Sequence, residues 1–274
     1  PATRRTNLAE SETKETPNAL TVKKGVVAGK PAIVIAGVGG VGKTTQASKA
    51  SPNTLVIDAE KGSHWIPVDR IDVENWPQFT SAIKQLSQTE NQYDTIVIDS
   101  WDRICEMLDN WVVSEASKTN SYIKAIGDFE SGKGYVQAAK KHSDCLDYLD
   151  KHFRGKTQLI IICHVEASSY KGDPTTEAYD KFQMKMRAKM ASRLREWSDF
   201  CLFAKDDIDT RSTGTGWNKR VVGEGDPMKR WVHTAGTDVF DCKSRIPLLS
   251  EEGQPVFEFT WENIQAAMKR GLNK

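Results

Sequence analysis

The stretch Gly37-Val38-Gly39-Gly40-Val41-Gly42-Lys43-Thr44 matches the phosphate-binding P-loop pattern at every required position. In this pattern the glycines let the backbone fold around phosphates with its N–H groups pointing inward. The Lys43 ammonium can reach the β and γ oxygens, and the Thr44 hydroxyl can ligate Mg²⁺. Residues 37–45, which include Thr45, are therefore predicted to bind ATP with Mg²⁺; the alternative is a glycine-rich turn with a solvated lysine.

Two acidic residues follow apolar runs and could complete this chemistry. Asp99 closes the run Thr95-Ile96-Val97-Ile98, where P-loop enzymes keep the Walker B carboxylate that holds Mg²⁺. Ser100 follows it, so a catalytic base must come from elsewhere. Glu60, just past Ile57-Asp58-Ala59, could orient or deprotonate the attacking water. The alternatives are a strand-capping aspartate and a solvated loop acid.

Three further residues could act on a bound triphosphate. His164 ends the run Leu159-Ile160-Ile161-Ile162-Cys163, where a polar group can hydrogen-bond the γ-phosphate and report its loss to the following loop. Lys243 and Arg245 are two residues apart, which places both cations on one side of a predicted strand. The alternatives are a structural histidine and a charged edge strand that blocks aggregation.

These residues are separated by alternating strand and helix patterns, which predict an α/β fold with a mostly parallel central sheet and helices on both faces. Continuous apolar runs, typical of strands buried on both faces, predict strands at 32–36, 54–58, 94–99, 158–163 and 200–204. Helices are predicted at 43–50, 76–88, 102–118, 135–153, 180–197 and 261–270. The Gly- and Thr-rich segment 210–245 is predicted to form β-hairpins.

Residues 166–197 combine a polar stretch with a basic one. The stretch 166–174 is expected to be a loop, because it is polar and contains Gly172 and Pro174. In 180–197, apolar residues fall at helical spacing between six lysines and arginines, which predicts an amphipathic helix with a basic outer side. This helix either packs against the core with a solvated charged face or contributes to a binding surface.

Composition excludes several classes of protein. The chain of 274 residues has a net charge of +1, so nucleic-acid or membrane binding must come from local patches. Its 5 cysteines are widely spaced without a C-x-x-C pair, which argues against a disulfide framework and a zinc site. We expect a flexible tail at 1–29, one ATPase domain at 30–274, no membrane span and a cytoplasmic location.

Two segments resemble RecA-like recombinases: Val56-Ile57-Asp58-Ala59-Glu60 and Ile96-Val97-Ile98-Asp99-Ser100. The resemblance implies that Glu60 is the catalytic base and that Asp99 lies on the magnesium side. It implies a sensor role for His164, although such ATPases often have glutamine there, and single-stranded DNA binding by loops after this strand, with Tyr170 or Tyr179 stacking a base. In RecA-like and KaiC-like assemblies a similar Lys-x-Arg pair reaches the γ-phosphate of a neighbouring subunit, which implies that role for Lys243 and Arg245 in a ring or filament.

From Lys30 to about Pro247 the chain resembles phage-encoded nucleotide-binding proteins of the RecA-like Sak group, which act in single-strand annealing and recombination. Besides the P-loop, the resemblance is carried by His164 and by the segments Asp58-Ala59-Glu60-Lys61-Gly62, Tyr93-Asp94-Thr95-Ile96-Val97-Ile98-Asp99-Ser100, Gly127-Asp128-Phe129, Gly132-Lys133-Gly134-Tyr135, Trp197-Ser198-Asp199 and Lys243-Ser244-Arg245. It implies an ATPase in the cytoplasm of a bacterial host, binding single-stranded DNA beside a single-strand DNA-binding protein.

Three functions therefore remain open. The first is a Mg²⁺-dependent, DNA-stimulated ATPase of phage recombination. The second is a nucleotide-gated DNA-binding module with little hydrolysis. The third is a P-loop kinase for a small molecule, for which residues 180–195 could imitate a basic lid. Partition ATPases share the string from Gly39 to Thr45 but carry a lysine where this chain has Val38, which argues against that group.

Overall fold

The computed structural model describes residues 29–88, 92–171, 177–207, 209–213, 220–226 and 228–273. The tail expected at 1–29 lies outside these residues, apart from residue 29. The described residues form the strands β1 (Ala32–Gly37), β2 (Thr54–Asp58), β3 (Asp69–Asp72), β4 (Thr95–Asp99), β5 (Gln158–Tyr170), β6 (Tyr179–Met184), β7 (Phe200–Asp206), β8 (Asp209–Thr213), β9 (Arg220–Glu224), β10 (Arg230–His233), β11 (Lys243–Ser244) and β12 (Val256–Glu258). Six α-helices accompany them: α1 (Lys43–Ala47), α2 (Trp76–Gln88), α3 (Trp101–Ser117), α4 (Lys133–Phe153), α5 (Ala188–Trp197) and α6 (Trp261–Leu272).

The central sheet has the order β12-β10-β7-β1-β5-β4-β2-β3. The six strands from β7 to β3 are parallel to their neighbours, whereas β10 is antiparallel to β7 and to β12. The parallel strands bring the ends of β1, β2 and β4 to one edge of the sheet, where Asp58 pairs with Asp99 and Gly37 with His164. We call this edge the nucleotide edge. The predicted α/β class with a mostly parallel sheet is confirmed.

Helices cover both faces of this sheet, as the apolar runs predicted. Every position of β1 is buried because successive side chains point to opposite faces of the sheet and each face has its own core. Val34 lies in the core formed with α2 to α5, and Ile35 lies in the core formed with α1 and α6. Phe79, Trp101 and Leu146 fill the first core. No helix of the described residues is both long enough and apolar enough to cross a membrane.

The structure corrects the prediction for 166–197. Residues 166–170 are not a loop, because β5 continues to Tyr170 and pairs antiparallel with β6; residues 172–176 lie outside the description. The predicted helix 180–197 is wrong over its first part, since 179–184 is strand β6 and α5 begins at Ala188. His164 consequently lies inside a strand, although it is the last residue of β5 paired with β1.

Smaller corrections concern the ends of the fold. The helix predicted at 43–50 is shorter, ending at Ala47, and the strands β3 and β12 were not predicted. Within 210–245, β8 and β9 form the expected hairpin, but β10 and β11 pair with β7 in the central sheet. The helix predicted at 261–270 is confirmed as α6. The 5 cysteines are free, and Cys105, Cys163 and Cys201 are buried.

Candidate nucleotide-binding site

The P-loop connects the end of β1 to the start of α1 at the nucleotide edge. Gly40 and Gly42 have φ values of 80° and 86°, in the left-handed region that favours glycine. A Cβ at Gly37 would overlap the carbonyl oxygen of Ala204 on the neighbouring strand. Gly37, Gly40 and Gly42 are therefore required by the observed backbone.

Lys43 is enclosed by the loop that precedes it. Its side chain is buried, and its Nζ donates to the carbonyl oxygens of Gly37 at 3.0 Å and Val38 at 2.8 Å. Burial lowers the pKa of Lys43, while the charges of Asp99 and Asp102 act in the opposite direction. The ammonium is thus held at the centre of the loop, beside the backbone N–H groups that such loops direct at phosphates.

Thr44 and Asp99 form a pair suited to a metal ion. The Thr44 hydroxyl donates to Asp99 Oδ2 at 2.5 Å. Asp99 is 4% exposed, and burial raises its pKa to about 6; the Thr44 hydrogen bond opposes this rise and the nearby Glu60 charge adds to it. A hydroxyl and a buried carboxylate are the oxygen ligands that Mg²⁺ prefers. These two residues therefore fit a magnesium ion.

Glu60 is positioned by the buried carboxylate of Asp58. Asp58 accepts hydrogen bonds from the backbone N–H groups of Glu60 at 2.9 Å, Lys61 at 2.6 Å and Ser63 at 2.8 Å. Burial raises the pKa of Asp58, but the bonds from Ser63, Glu60 and Lys61 outweigh it and lower the pKa overall. The Glu60 side chain is 35% exposed and accepts a hydrogen bond from the Ser100 hydroxyl. Glu60 therefore projects between the ends of β2 and β4.

His164 lies beside Glu60 because β5 runs between β1 and β4. Its Nδ1 is 3.1 Å from Asp102 Oδ2 and 3.4 Å from Glu60 Oε1, and its backbone N–H donates to Asp102 Oδ1 at 2.9 Å. The Asp102 hydrogen bond raises the pKa of His164, against the effect of burial. The structure thus brings the predicted Glu60 and His164 together around Asp102, with polar atoms within 4.8 Å of one another.

Asp102 is a site residue that the sequence did not reveal. It lies in the first turn of α3 and is 5% exposed. Burial acts to raise the pKa of Asp102, but the hydrogen bonds from His164 outweigh this effect and lower the pKa overall. An acid just after the Walker B strand was a weak signal, because its partner His164 is 62 residues away.

Lys243 and Arg245 lie far from this cluster, at the start of β7 rather than its end. Lys243 Nζ donates to the carbonyl oxygens of Arg195 at 3.0 Å, Glu196 at 2.7 Å and Ser198 at 2.6 Å, and burial lowers its pKa. Arg245 Nε donates to Asp199 Oδ1 at 2.9 Å, with 57% of its side chain exposed. Within one chain, neither cation contacts the P-loop.

The β5–β6 hairpin carries the tyrosines singled out as base-stacking candidates. Tyr170 and Tyr179 pair across the strands with ring centroids 5.6 Å apart, and Lys181 Nζ lies 4.7 Å from the Tyr170 ring. Lys181 is itself buried and bonded to Asp241 at 2.7 Å. Lys171, Lys185 and Lys189 are exposed near this hairpin and α5.

A structural similarity was found, but it is weak. The flagellar accessory protein FlaH from Methanocaldococcus jannaschii is similar over 76% of this chain and 86% of that chain, with 10% identity and a TM-score of 0.32. This similarity is too low to support an argument about function. No curated protein matches the chain.

A protein-family model gives the stronger finding. The model described as an AAA domain matches residues 30–246, a span that contains the P-loop, Asp99, Glu60 and His164. The match covers well over half of the 274 residues. With the P-loop at the end of β1 and acidic residues at the ends of neighbouring strands, this chain belongs to the AAA domain family of P-loop NTPases.

Proposed function

We propose that the protein binds ATP with Mg²⁺ and hydrolyses it. The observation that carries this proposal is the convergence at one sheet edge of a complete P-loop, the Thr44–Asp99 pair and the cluster of Glu60, Asp102 and His164. Lys43 and the loop N–H groups neutralise phosphate charge, and Thr44 with Asp99 holds the ion. A Mg²⁺ ion held there would help to neutralise the charge of the phosphates.

Glu60 is the proposed base. Its exposed side chain at the nucleotide edge lets it orient a water, while His164, whose pKa the Asp102 hydrogen bond raises, can donate a hydrogen bond towards developing phosphate charge. The Asp58 hydrogen bonds hold the Glu60 turn in place, so little reorganisation is needed when nucleotide binds.

The test combines calorimetry with turnover. We expect the wild type to bind MgATP and hydrolyse it, Lys43→Ala to lose hydrolysis, and Glu60→Gln to keep MgATP binding but lose turnover. Exposed Glu262→Gln, in the first turn of α6, is a matched control for the second variant. Absence of binding heat with folded wild type contradicts the proposal, whereas undiminished turnover in Glu60→Gln removes that residue from the mechanism.

We further propose that nucleotide state is coupled to single-stranded DNA binding by the β5–β6 hairpin, as in recombination. The backbone of His164 supports this coupling, because its N–H donates to Asp102 and its carbonyl accepts from Lys185 N–H at 2.9 Å. A shift of His164 on γ-phosphate loss would therefore be passed directly to the end of β6. Tyr170 and Tyr179 offer stacking faces, and the nearby exposed lysines offer phosphate contacts.

Turnover with and without single-stranded DNA tests this coupling. We expect stimulation in the wild type, and a loss of stimulation with unchanged basal turnover in Tyr170→Ala and Tyr179→Ala. Tyr122→Ala, which removes a tyrosine that is 89% exposed outside this hairpin, is the control. Tight DNA binding that responds to ATP without hydrolysis would instead support the nucleotide-gated module, and a phosphorylated product in a metabolite screen would support the kinase.

Assembly into a ring or filament is the last part of the proposal. Arg245 is a better candidate than Lys243 for reaching a neighbouring subunit, because 57% of its side chain is exposed whereas Lys243 donates to three carbonyls. Mixing Arg245→Ala into wild type should reduce turnover beyond simple dilution. Turnover that falls in proportion to dilution, together with a monomer in sedimentation, contradicts this assembly.

A further inference from the structure

Arg230 lies against the P-loop, although no sequence motif marks it. It is the first residue of β10 and pairs with Asp206 at the end of β7, the strand next to β1. A Cβ built on Gly42 would lie 2.7 Å from Arg230 Nη1 and 3.7 Å from its Cζ. The guanidinium therefore occupies the space beside the residue that precedes Lys43, on the same chain.

Among the described residues, Arg230 has few close partners for its positive charge. Its Nε is buried and has no hydrogen-bond partner among the described residues, and the Asp206 carboxylate is 3.8 Å away. By contrast, Arg187 donates two hydrogen bonds to Asp109, and Arg154 donates to Asp199 at 2.6 Å. The Arg230 side chain as a whole is 39% exposed, so a ligand from solvent can reach it. Among the described residues, Arg230 thus has no close hydrogen-bonded anion.

We propose that Arg230 binds the phosphate chain of the nucleotide held by its own P-loop. This inference rests on the proposed function, since it assigns a further ligand to the same site. A guanidinium presents paired N–H donors that match two phosphate oxygens, and an anion beside Gly42 lies within its reach. A side chain at Gly42 would have to move the Arg230 guanidinium aside, while the positive φ of Gly42 is what requires glycine there.

Calorimetry with three ligands tests this role. We expect Arg230→Ala to weaken binding of MgATP and MgADP by about 10- to 100-fold, the usual effect of losing a hydrogen-bonded charge, and to leave adenosine binding unchanged. Arg230→Lys, which keeps the charge but not the paired donors, should lie between the wild type and alanine. Lys229→Ala removes an exposed cation from the adjacent position and is the matched control.

The outcomes separate this inference from the proposed function. Folded wild type that binds no MgATP overturns the proposed function. Wild type that binds MgATP while both Arg230 variants bind it equally well overturns the phosphate role alone, as does an equal loss of affinity for adenosine. If Arg230→Ala fails to fold, as judged by its thermal transition, Arg230→Lys decides: phosphate-dependent weakening supports the role and unchanged affinity excludes it.

Discussion

The two edges of the central sheet use similar residues in opposite ways. At the nucleotide edge, Lys43 donates to carbonyls of its own P-loop, next to the buried Asp99. At the opposite edge, where β7 begins, Lys243 donates to three carbonyls at the end of α5. Lys43 is buried and Lys243 is half-buried. Lys43 lies in a P-loop, whose backbone can surround phosphates, whereas Lys243 donates hydrogen bonds to carbonyls at the end of a helix.

The aspartates Asp199 and Asp99, one at each edge, also differ in their partners. Asp199, at the opposite edge, accepts from the Ala32 backbone N–H at 2.9 Å, Arg154 at 2.6 Å and Arg245 at 2.9 Å, which ties β1, α4 and the start of β7 together. Asp99, at the nucleotide edge, is buried, and this burial raises its pKa to about 6, with the charges of Glu60 and Asp58 adding to the rise. From this comparison we expect that the opposite edge contributes mainly to folding and that the nucleotide edge contributes mainly to ligand binding. Three predictions test this division, beginning with the largest effect.

The first prediction concerns Asp102→Asn, at the nucleotide edge. Because Asp102 orients His164 and raises its pKa, the variant should lose about 10- to 100-fold in turnover, as is typical when a supporting hydrogen-bond partner is removed. The alkaline limb of the pH–rate profile should also move to lower pH, since His164 then loses its proton more easily. Urea unfolding should change little.

Asp109→Asn is the control for this prediction, because Asp109 lies two turns further along α3 and pairs with Arg187. It should leave the pH–rate profile in place. A wild-type pH profile in Asp102→Asn would show that Asp102 does not position His164, and would break the comparison at the nucleotide edge.

The second prediction concerns the effect of low pH on His142, which contacts Trp101 at the start of α3, two residues after Asp99. His142 is 1% exposed, its Nε2 accepts from Trp101 Nε1 at 2.9 Å, and burial, with the charges of Arg193 and Arg187, lowers its pKa to about 4. The unfolded chain takes up this proton near pH 6.5, so stability should fall as the pH drops from about 6.5 to about 4 and then level off. The size of this loss is on the order of 2 to 3 kcal/mol.

His142→Gln isolates that contribution, because glutamine can still accept from Trp101 without taking up a proton. His233, whose burial also lowers its pKa to about 4, contributes in both proteins and cancels in the difference. In urea unfolding, the free energy of unfolding of the wild type should fall by about 2 to 3 kcal/mol more than that of His142→Gln between pH 7 and pH 4. Parallel curves would mean that His142 does not titrate in this range.

The third prediction concerns Lys243→Met, at the opposite edge. Methionine keeps the apolar stem but leaves three carbonyls of the α5 end without their donor, which should lower the free energy of unfolding by about 1 kcal/mol. MgATP affinity should not change. Exposed Lys269→Met in α6 is the control and should unfold like the wild type. Lost turnover with full stability would instead support the intersubunit role implied by the resemblance.

The sequence predicted best those parts whose burial is imposed by the sheet itself. Runs such as Ile33-Val34-Ile35 and Ile96-Val97-Ile98 are buried on both faces, so their apolar character identified the central strands directly. The P-loop was equally easy to recognise in the sequence, because the positive φ values at Gly40 and Gly42 favour glycine locally. Asp99 and Glu60 followed from their places after these strands.

The segment 166–197 shows why the rest was not predictable. Phe182 fitted a helical spacing with Met186 and Met190, but its ring packs against Phe203 at a centroid distance of 5.4 Å from within β6. The polar residues of β5 gave no apolar alternation, and they form a strand because β6 satisfies their backbone groups. Long-range pairing decided both segments, just as it determined the unpredicted positions of Asp102 and Arg230.

Gly37 has a consequence for how such motifs should be interpreted. Its hydrogen in place of a side chain is demanded by the Ala204 carbonyl oxygen on the adjacent strand, whereas a Cβ at Gly39 would meet nothing within 4 Å. The packing of β1 against β7 thus requires glycine at position 37, whereas the packing around position 39 would accept a side chain. In a related protein that had lost nucleotide binding, we expect Gly39 to be replaced readily while Gly37 is kept for packing. The first glycine of the motif, found alone, would therefore indicate the fold and not the activity.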